Sequence, residues 1–243
     1  MASINNGIKK ITITPHKEEE QFFNNIDSAS VFVPEWYKKS PQNIIGSSSE
    51  LMFENPLGTT STYKKCSPFL DSITSGYMVY LTSDIEIARD SNNNPSILWR
   101  SPVRKLITTH SNNQWEGLYY PDDCYNMLFK WENGHVYQTP EGYSTLFTHP
   151  LNRFDLPFYT LSGVVDTDKF NLAIHFPFFL KKDFVGVIPE GTPIAQLNMI
   201  KRENWSRKFN SYNKTQSLIN SENFLVKIKR SYKNQFWQKK VYK

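Results

Sequence analysis

The chain has 243 residues, enough to bury the core of one large domain or two small ones. Hydrophobic residues make up 39% of it and aromatic residues 15%, so Phe, Tyr and Trp must supply much of the core. No apolar stretch approaches a membrane span and the start lacks the apolar segment of a secretory signal, so we expect a cytoplasmic product with no membrane partner.

The net charge of +5 is unevenly distributed along the chain. Residues 201–243 contain twelve Lys and Arg residues and two Glu residues. This leaves residues 1–200, with 16 basic and 21 acidic residues, a net charge of −5. A basic segment on a mildly acidic body is typical of an arm that contacts nucleic acid, an acidic partner or a neighbouring subunit. A solvated helix face is the alternative.

Residues 1–62 are predicted to form an N-terminal extended arm and loop. In VFVPEWYKKSP, two prolines bracket Trp36 and Tyr37. This pattern predicts an extended or turn segment whose aromatic side chains fill a groove. Residues 42–62 are rich in Ser, Thr and Gly, which predicts a loop.

Residues 63–200 are predicted to form a β-barrel domain. SGYMVYLTSDIEIARD shows the alternation of a half-buried antiparallel strand, and DSNNNPS and ILWRS then predict a turn and the partner strand of a hairpin. Further short apolar runs are separated by turn signals at Asn133-Gly134 and Glu141-Gly142. Short strands at this spacing predict a sandwich or a barrel.

Residues 201–243 are predicted to be a basic C-terminal segment that contains an amphipathic helix. Ser221 is a candidate N-cap. The apolar stripe of this helix recurs every four residues, at Phe224, Ile228, Tyr232 and Phe236. We expect the stripe to pack on the barrel or on a neighbouring subunit.

Several kinds of chemistry lack support in the sequence. The two cysteines, Cys66 and Cys124, are expected to be buried free thiols and not a disulfide, and one pair cannot form a C-x-x-C metal site. The histidines show no metal-ligand spacing, so no metal site is predicted. Phosphate-binding glycine loops and the G-x-S-x-G nucleophile motif are also absent from the sequence.

Asp166 and Asp168 in SGVVDTDKF are the main candidates for catalytic residues. Alternate residues of a strand share a face, so both carboxylates would point the same way if the strand continued through them. Such a pair suits water activation or a metal ion held near a phosphate. The alternative is a turn in which the aspartates accept backbone N–H bonds at the end of a hairpin.

Three segments resemble motifs of the dUTPase and dCTP-deaminase superfamily. GVVDTDKF is similar to its G-V-I-D-x-D-Y hairpin, IPEGTPIAQLNM to the following I-A-Q-L strand, and TPEGYSTLF to the P-x-G-Y strand that precedes both. Together the similarity covers about residues 138–200. It implies a trimeric, dUTPase-like β-barrel or jelly-roll-type sandwich in which the aspartate hairpin borders a nucleotide cleft.

The resemblance also implies roles for individual residues. Asp166 matches the aspartate that orients a water molecule and contacts the deoxyribose, and Asp168 is its companion. The other ligand-binding candidates, taken from the matching motifs and their surroundings, are Gly163, Lys169, Gln196, Arg153 and Tyr143.

The chain departs from this family at the positions that handle phosphate. Lys169 stands where the family has an aromatic residue, which is displaced to Phe170. The R-S-S-type phosphate segment is replaced by HPLNRFDLPFYTLSG, in which Arg153 is a possible substitute. The basic C-terminal segment replaces the glycine-rich tail that closes over the nucleotide. The site is therefore expected to be degenerate.

The whole chain also resembles a family of tailed-phage proteins, notably from marine phages. PEWYKKSP, KKCSPFLDSITSGY and GYSTLFTHPLNRFDLPFYTLSGVVDTD carry this resemblance, which implies a viral origin and no activity. We therefore expect a phage protein, in the host cytoplasm or the virion, that acts in assembly or binding without catalysis and forms a homo-oligomer, plausibly a trimer, or joins other virion proteins.

Two alternatives stay open. One is a nucleotide hydrolase or deaminase that uses Asp166 to orient a water molecule, without a cofactor or with Mg²⁺. The other is nucleic-acid binding through the basic C-terminal segment, where aromatic residues alternate with lysines.

Overall fold

The computed structural model describes residues 8–16, 24–45, 59–101, 105–211, 233 and 236–242. The chain divides into two compact units, the first formed by residues 1–32 with 76–202 and the second by residues 33–75 with 203–243. The predicted arm, residues 1–62, contributes to both units. The predicted C-terminal helix lies, from Ser221 to Tyr232, outside the described residues.

The helices and strands are short. In chain order they are β1 (Thr12–Thr14), β2 (Ile26–Ser28), α1 (Glu35–Lys39), β3 (Asn43–Ile45), β4 (Thr59–Ser61), α2 (Ser67–Thr74), β5 (Tyr77–Tyr80), β6 (Ile85–Arg89), β7 (Pro95–Trp99), β8 (Ile107–Thr109), β9 (Cys124–Trp131), β10 (Val136–Gln138), β11 (Tyr143–Thr148), β12 (Phe158–Thr160), β13 (Gly163–Val165), β14 (Phe176–Lys181), β15 (Gly186–Ile188) and β16 (Pro193–Lys201). Single 3₁₀ turns cover Ala29–Phe32, Tyr63–Lys65 and Asn112–Gln114.

The protein is mainly β, as predicted, and its sheets are antiparallel. The first unit contains a five-stranded sheet β13-β11-β16-β5-β2, a four-stranded sheet β12-β14-β9-β8, a three-stranded sheet β15-β6-β7 and the pair β1-β10. The second unit contains the pair β3-β4. Within the described part of the chain, none of these sheets closes on itself.

Stacked aromatic rings form the centre of the first unit. Trp131 of β9 and Phe178 of β14 lie face to face, with ring centroids 3.9 Å apart and an angle of 9° between the planes. Phe158 of β12 packs edge-on against Trp131 at 5.1 Å. All three rings are buried, and the pairing of β12, β14 and β9 brings them together. The expectation that aromatic residues supply much of the core is confirmed.

The hairpin predicted from alternation and the DSNNNPS turn is confirmed as β6 and β7. The prediction of one strand through SGYMVYLTSDIEIARD is wrong, because that segment forms two strands, β5 and β6, which belong to different sheets. Asp90 begins the turn, and its Oδ1 accepts the backbone N–H groups of Asn92 and Asn94 at 2.8 Å each. Asn93 adopts a left-handed conformation with φ of 62°, which asparagine tolerates. Turn chemistry and strand alternation therefore agree at this place.

β16 is the central strand of the five-stranded sheet and determines the position of the aspartate hairpin. Its first five residues are buried because β11 and β5 cover it on its two edges and side chains cover both faces. β11 pairs with β16 on one side and with the edge strand β13 on the other. The C-terminal end of β16 thus lies two strands away from the end of β13.

In the second unit, the prediction of an extended or turn segment at Trp36 and Tyr37 is wrong. Residues Glu35–Lys39 form helix α1, and the backbone N–H of Lys38 donates to the carbonyl of Pro34 at 3.0 Å. Proline is favoured at the start of a helix because its missing N–H needs no partner there. Tyr37 is nevertheless buried, stacked on Phe69 of α2 with ring centroids 5.8 Å apart.

Both cysteines are free, as predicted. Cys124 is buried at the start of β9, and burial raises the pKa of its thiol to about 12. Cys66, which precedes α2, is only half-buried, so the predicted burial is confirmed for Cys124 and wrong for Cys66. A thiol with so high a pKa is not a nucleophile at neutral pH, so Cys124 acts as a small apolar core residue.

Among the described helices, none combines the length and apolar character that a bilayer crossing requires.

Candidate functional site

The aspartates of the GVVDTDKF segment lie in a turn. β13 ends at Val165, and the backbone N–H groups of Lys169 and Phe170 both donate to the carbonyl of Asp166 at 2.9 Å. The strand therefore stops before Asp166, and strand alternation does not govern the two carboxylates. The backbone at the two aspartates is therefore a turn, which was the alternative to a continued strand. The position of each carboxylate depends on its own hydrogen-bond partners.

Thr167, between the two aspartates, is buried and anchors the turn. Its Oγ1 lies 2.8 Å from Thr139 Oγ1 and 2.9 Å from Thr145 Oγ1. Because the Thr139 hydroxyl donates to the carbonyl of Tyr143, it must accept from Thr167, and Thr167 in turn accepts from Thr145. This ordered chain of hydroxyls fixes the turn against β11. The two flanking aspartates both bind Arg202.

Asp168 has a buried carboxylate with only 3% of its side chain exposed. Its Oδ2 accepts the backbone N–H of Gly142 at 2.9 Å and binds Arg202 Nη2, while its Oδ1 accepts from Arg202 Nη1 at 2.8 Å. The guanidinium thus binds both oxygens, which is the strongest geometry for a carboxylate and an arginine. We call this group, Asp166, Asp168 and Arg202, the arginine clamp.

Asp166 is the more open member of the arginine clamp, with 56% of its side chain exposed. Its Oδ1 accepts the hydroxyl of Ser144 at 2.7 Å and lies 3.3 Å from Arg202 Nη1. Ser144 also accepts from Arg202 Nη1 at 3.0 Å. Both carboxylates therefore converge on one guanidinium, which compensates the repulsion between them.

Arg202 controls the ionisation of this site. Its hydrogen bonds lower the pKa of Asp168 to about 2, with the Gly142 N–H contributing in the same direction against the effect of desolvation. In return, Asp168 raises the pKa of Arg202. A carboxylate with a pKa near 2 is a weak base, so Asp168 is poorly suited to take a proton from water.

The β11–β16 pairing places Arg202 at the aspartate turn. Tyr143 pairs with Lys201, and the backbone N–H of Arg202 donates to the carbonyl of Gly142 at 2.9 Å. Arg202 Nη1 also donates to the carbonyl of Tyr143 at 3.1 Å. Arg202 thus binds Gly142 through its backbone and Tyr143 through its side chain. The Asp168 carboxylate binds the N–H of the same Gly142.

Of the other sequence candidates, Tyr143 and Lys169 lie at the arginine clamp, and Gly163 lies at the opposite end of β13. Tyr143 contributes its carbonyl to Arg202, and its ring lies under Lys9 Nζ at 4.8 Å. Lys169 is exposed in the aspartate turn itself. Gly163 begins β13 opposite Phe147, and a Cβ at Gly163 would contact nothing within 4 Å.

The remaining two candidates, Gln196 and Arg153, have structural partners near the loop that follows β11. Gln196 is fully buried, and its Oε1 accepts the backbone N–H of Leu151 at 2.8 Å. Arg153 forms a forked pair with Asp155, with Nε to Oδ1 and Nη2 to Oδ2 both at 2.9 Å. The guanidinium proposed as a substitute phosphate contact is therefore already paired with a carboxylate.

The residues that sequence reasoning missed are Arg202, Ser144 and the three threonines of the hydroxyl chain. Arg202 was counted with the basic C-terminal segment, although it directly follows the last residue of β16. The local signal was the KR pair that ends the run PIAQLNMIK, since a cation after a strand can reach the turn of a neighbouring strand. Nothing in the sequence specifies which turn that is.

Among the described residues, no group of three or more His, Cys, Asp or Glu side chains could hold a metal ion. The polar side chains of the aspartate turn bind one another and Arg202, an arrangement that holds the ends of β11, β13 and β16 together.

No protein-family model, no curated protein and no solved structure matches this chain.

Proposed function

We propose that this protein is a tailed-phage protein that acts in assembly or binding without catalysis, on a dUTPase-like barrel or jelly-roll-type sandwich. The resemblance of residues 138–200 to the dUTPase and dCTP-deaminase superfamily and the resemblance of the whole chain to a phage family support this proposal. The proposed setting is the host cytoplasm or the virion, where the protein forms a homo-oligomer such as a trimer or joins other virion proteins. A C-terminal amphipathic helix from Ser221 belongs to the same proposal.

The arginine clamp is the observation that carries the non-catalytic interpretation. Nucleotide hydrolysis needs a carboxylate that can orient or deprotonate water, and cations that stabilise the charge on phosphate. Asp168 is buried under Arg202, which holds its pKa at about 2. Arg153 is paired with Asp155. The carboxylate of Asp168 and the cation of Arg153 are therefore both already paired with other side chains of the protein.

The test of this proposal is a turnover assay joined to a search for the protein in virions. We expect no hydrolysis or deamination of any common deoxynucleoside triphosphate, with or without Mg²⁺, and we expect the protein in purified particles or in an oligomer. Absence from particles together with a monomeric state in solution would contradict an assembly role.

A nucleotide-processing enzyme is the second candidate, and the exposure of Asp166 favours it. Its carboxylate is 56% exposed and bonded to Ser144, so one face can meet a water molecule or a sugar. On this hypothesis Asp166→Asn abolishes turnover of some nucleotide, with Lys169 contacting phosphate. Lys182→Met, a matched loss of an exposed lysine outside the aspartate turn, would leave that turnover unchanged while Lys169→Met would lower it.

Nucleic-acid binding is the third candidate, favoured by exposed aromatic rings in the basic C-terminal segment. Trp205 and Phe209 are each 87% exposed, with Arg207 and Lys208 between them. Rings and cations in one segment can stack on bases and bind phosphates. The affinity for a single-stranded oligonucleotide should then fall with salt and with removal of residues 203–243. If the truncated protein binds DNA equally well, this candidate is wrong.

A further inference from the structure

A cavity of about 500 Å³ opens at the three-stranded sheet β15-β6-β7 of the first unit. Its apolar lining consists of Leu98, Trp99 and Val187. The side chains of Leu98 and Val187 are unusually open for strand residues, at 58% and 52% exposure. A cavity of this volume is within the range that accepts small ligands or large side chains.

The charged lining of the cavity is mainly acidic. Among the described residues, the lining has three acids, Asp84, Glu86 and Glu190, and one cation, Arg100, so their net charge is −2. Asp84 Oδ1 accepts the backbone N–H of Glu190 at 2.8 Å, and this bond joins the loops before β6 and after β15. The mouth of the cavity is therefore held by the protein's own hydrogen bonds.

Strand register places an acidic group inside the apolar surface. Glu86 pairs with Leu98 on β7 and with Val187 on β15, so the three residues form one row across the sheet. The row is exposed, and it presents two apolar side chains on either side of one carboxylate. An occupant that fits this row carries apolar groups that flank a cation.

The second unit presents a segment with the complementary chemistry. Residues 205–209, WSRKF, place two aromatic rings around two cations and carry a charge of +2. Trp205 and Phe209 are each 87% exposed, and Arg207 lies with its Cζ 5.6 Å from the Phe209 ring centroid. Large aromatic side chains exposed to this degree are typical of protein surfaces that bind a partner.

We propose that the acidic cavity of one copy binds the aromatic segment 205–209 of a second copy of this chain. Charge complementarity supports this occupant, since +2 on the segment meets −2 on the cavity lining, and the rings of Trp205 and Phe209 can cover Leu98 and Val187. This inference rests on the proposed assembly role. The partner in assembly is a second copy of the chain, and the two contacting surfaces are the acidic cavity and residues 205–209.

Such an interface is head-to-tail, because the donating and accepting surfaces differ. After the first contact one copy keeps a free segment and the other keeps a free cavity, so association continues until a ring closes or an open chain forms. The contact area of one short segment is small, which predicts association that depends on protein concentration and weakens as salt screens the charges.

The first test uses the segment as a peptide. A fluorescently labelled peptide of residues 201–211 should bind the full-length protein saturably in an anisotropy titration. Replacing Trp205 by Ala in the peptide, or making Glu86→Lys in the protein, should weaken binding by at least about tenfold, as for a residue at the centre of an interface. Glu116→Lys changes the same charge at an exposed position outside the cavity, and it should leave binding unchanged.

The second test uses complementation between two defective proteins. Glu86→Lys retains a working segment, and the double variant Trp205→Ala/Phe209→Ala retains a working cavity. Each should sediment as a monomer at concentrations where the wild type associates, and their mixture should form a heterodimer and nothing larger. Circular dichroism establishes that each variant is folded; all the substituted positions are exposed.

Several outcomes overturn this inference. They are a wild type that stays monomeric while the peptide fails to bind, a mixture that fails to associate, and a peptide that binds a single-stranded oligonucleotide but not the protein. If the protein is monomeric yet present in virions, the inference fails and the assembly role stands. If the protein turns over a nucleotide and Asp166→Asn abolishes that turnover, the proposed assembly role is wrong. The peptide titration then decides alone whether the acidic cavity binds residues 205–209.

Discussion

Arg202 makes the stability of the aspartate turn depend on pH. The folded-state pKa of Asp168 is about 2, and the ordinary value is 3.8. Between these values the unfolded chain binds more protons at this residue than the folded protein does. The contribution of the pair is therefore fully present above about pH 4 and is lost as the pH falls from about 4 to about 2.

We predict that Arg202→Met lowers the melting temperature at pH 7 by about 2–8 °C, the range for loss of one specific interaction in a protein of this size. Methionine keeps much of the apolar stem and removes the cation, which leaves the buried Asp168 carboxylate without its main partner. The difference from wild type should shrink as the pH falls from about 4 to about 2, because the unfolded chain is then protonated at Asp168 and the ion pair no longer favours folding. Thermal denaturation between pH 7 and pH 2 measures this.

Lys169→Met is the matched control for the arginine clamp. It removes a cation from the same turn, but Lys169 is exposed. Its melting temperature should stay close to that of the wild type at every pH. Equal losses in the two variants would indicate that general positive charge stabilises the turn, with no special role for the forked contact of Arg202.

His149 is a second pH-dependent residue, and it directly follows the last residue of β11. Its Nδ1 accepts the backbone N–H of Thr160 at 3.3 Å, so Nε2 carries the proton and donates to the carbonyl of Arg153 at 3.0 Å. Burial lowers the pKa of this imidazole. The folded protein therefore requires neutral His149, and its stability falls as the pH drops below about 6.5, the unfolded value.

We predict that His149→Gln removes part of the stability loss between pH 7 and pH 5. Glutamine can present an acceptor and a donor but does not titrate in this range, so the pH dependence due to His149 disappears. At pH 7 the variant should be destabilised by about 1 kcal/mol, the net contribution of a typical hydrogen bond. Urea denaturation at the two pH values measures this; an unchanged pH dependence would show that folding does not change the pKa of His149.

At the scale of elements, local signals predicted local structure. The β6–β7 hairpin follows from alternation and from Asp90, whose side chain forms the turn within five residues. The order β13-β11-β16-β5-β2 could not be predicted in this way, because each pairing there joins segments brought together by core packing. Alternation indicates which face of a strand is buried but carries no information about its neighbour.

Local sequence signals also identified only part of the aspartate turn, because they do not reveal which strands become neighbours. The spacing of Asp166 and Asp168 identified a polar corner beside a buried strand. Their partner Arg202 is more than thirty residues away and reaches them only through the register of β11 against β16. The sequence alone could identify the two aspartates. Arg202, the third member of the arginine clamp, could be identified only once the pairing of β11 with β16 was known.

Gly76 shows how closely these elements approach one another. It precedes β5 with φ of +70°, and a Cβ there would lie 1.8 Å from the carbonyl oxygen of Leu197 in β16. We predict that Gly76→Ala destabilises the protein by more than about 3 kcal/mol, since backbone of the central strand must move and the conformation is strained as well. Chemical denaturation, or loss of soluble protein, measures this.

Gly117→Ala is the matched control for the close approach. Gly117 has a similar φ of +79°, but a Cβ there would meet nothing within 4 Å. Its substitution should cost only the conformational strain, about 1–2 kcal/mol. If both alanine variants lose the same stability, the contact with Leu197 is unimportant.

At the scale of the whole molecule, the second unit joins two parts of the chain that are far apart in sequence, helix α2 and residues 236–242. Trp237 Nε1 donates to both carboxylate oxygens of Asp71 in α2, at 3.0 and 2.9 Å, and Lys240 Nζ binds the same carboxylate. Lys240 Nζ also lies 5.6 Å from the centroid of the Trp237 ring. One acidic side chain of α2 thus holds an aromatic and a basic residue of the C-terminal segment.

We predict that Asp71→Ala releases residues 236–242, because the indole N–H and the ammonium group of Lys240 lose their shared acceptor. Trypsin should then cleave after Lys239 and Lys240 at least about tenfold faster, as expected when local opening costs about 1.4 kcal/mol less. Mass spectrometry of timed digests measures this rate. Asp71→Asn keeps an acceptor for Trp237 but loses the charge, so its cleavage rate should fall between those of wild type and Asp71→Ala. Equal cleavage in all three proteins would show that other contacts hold the segment.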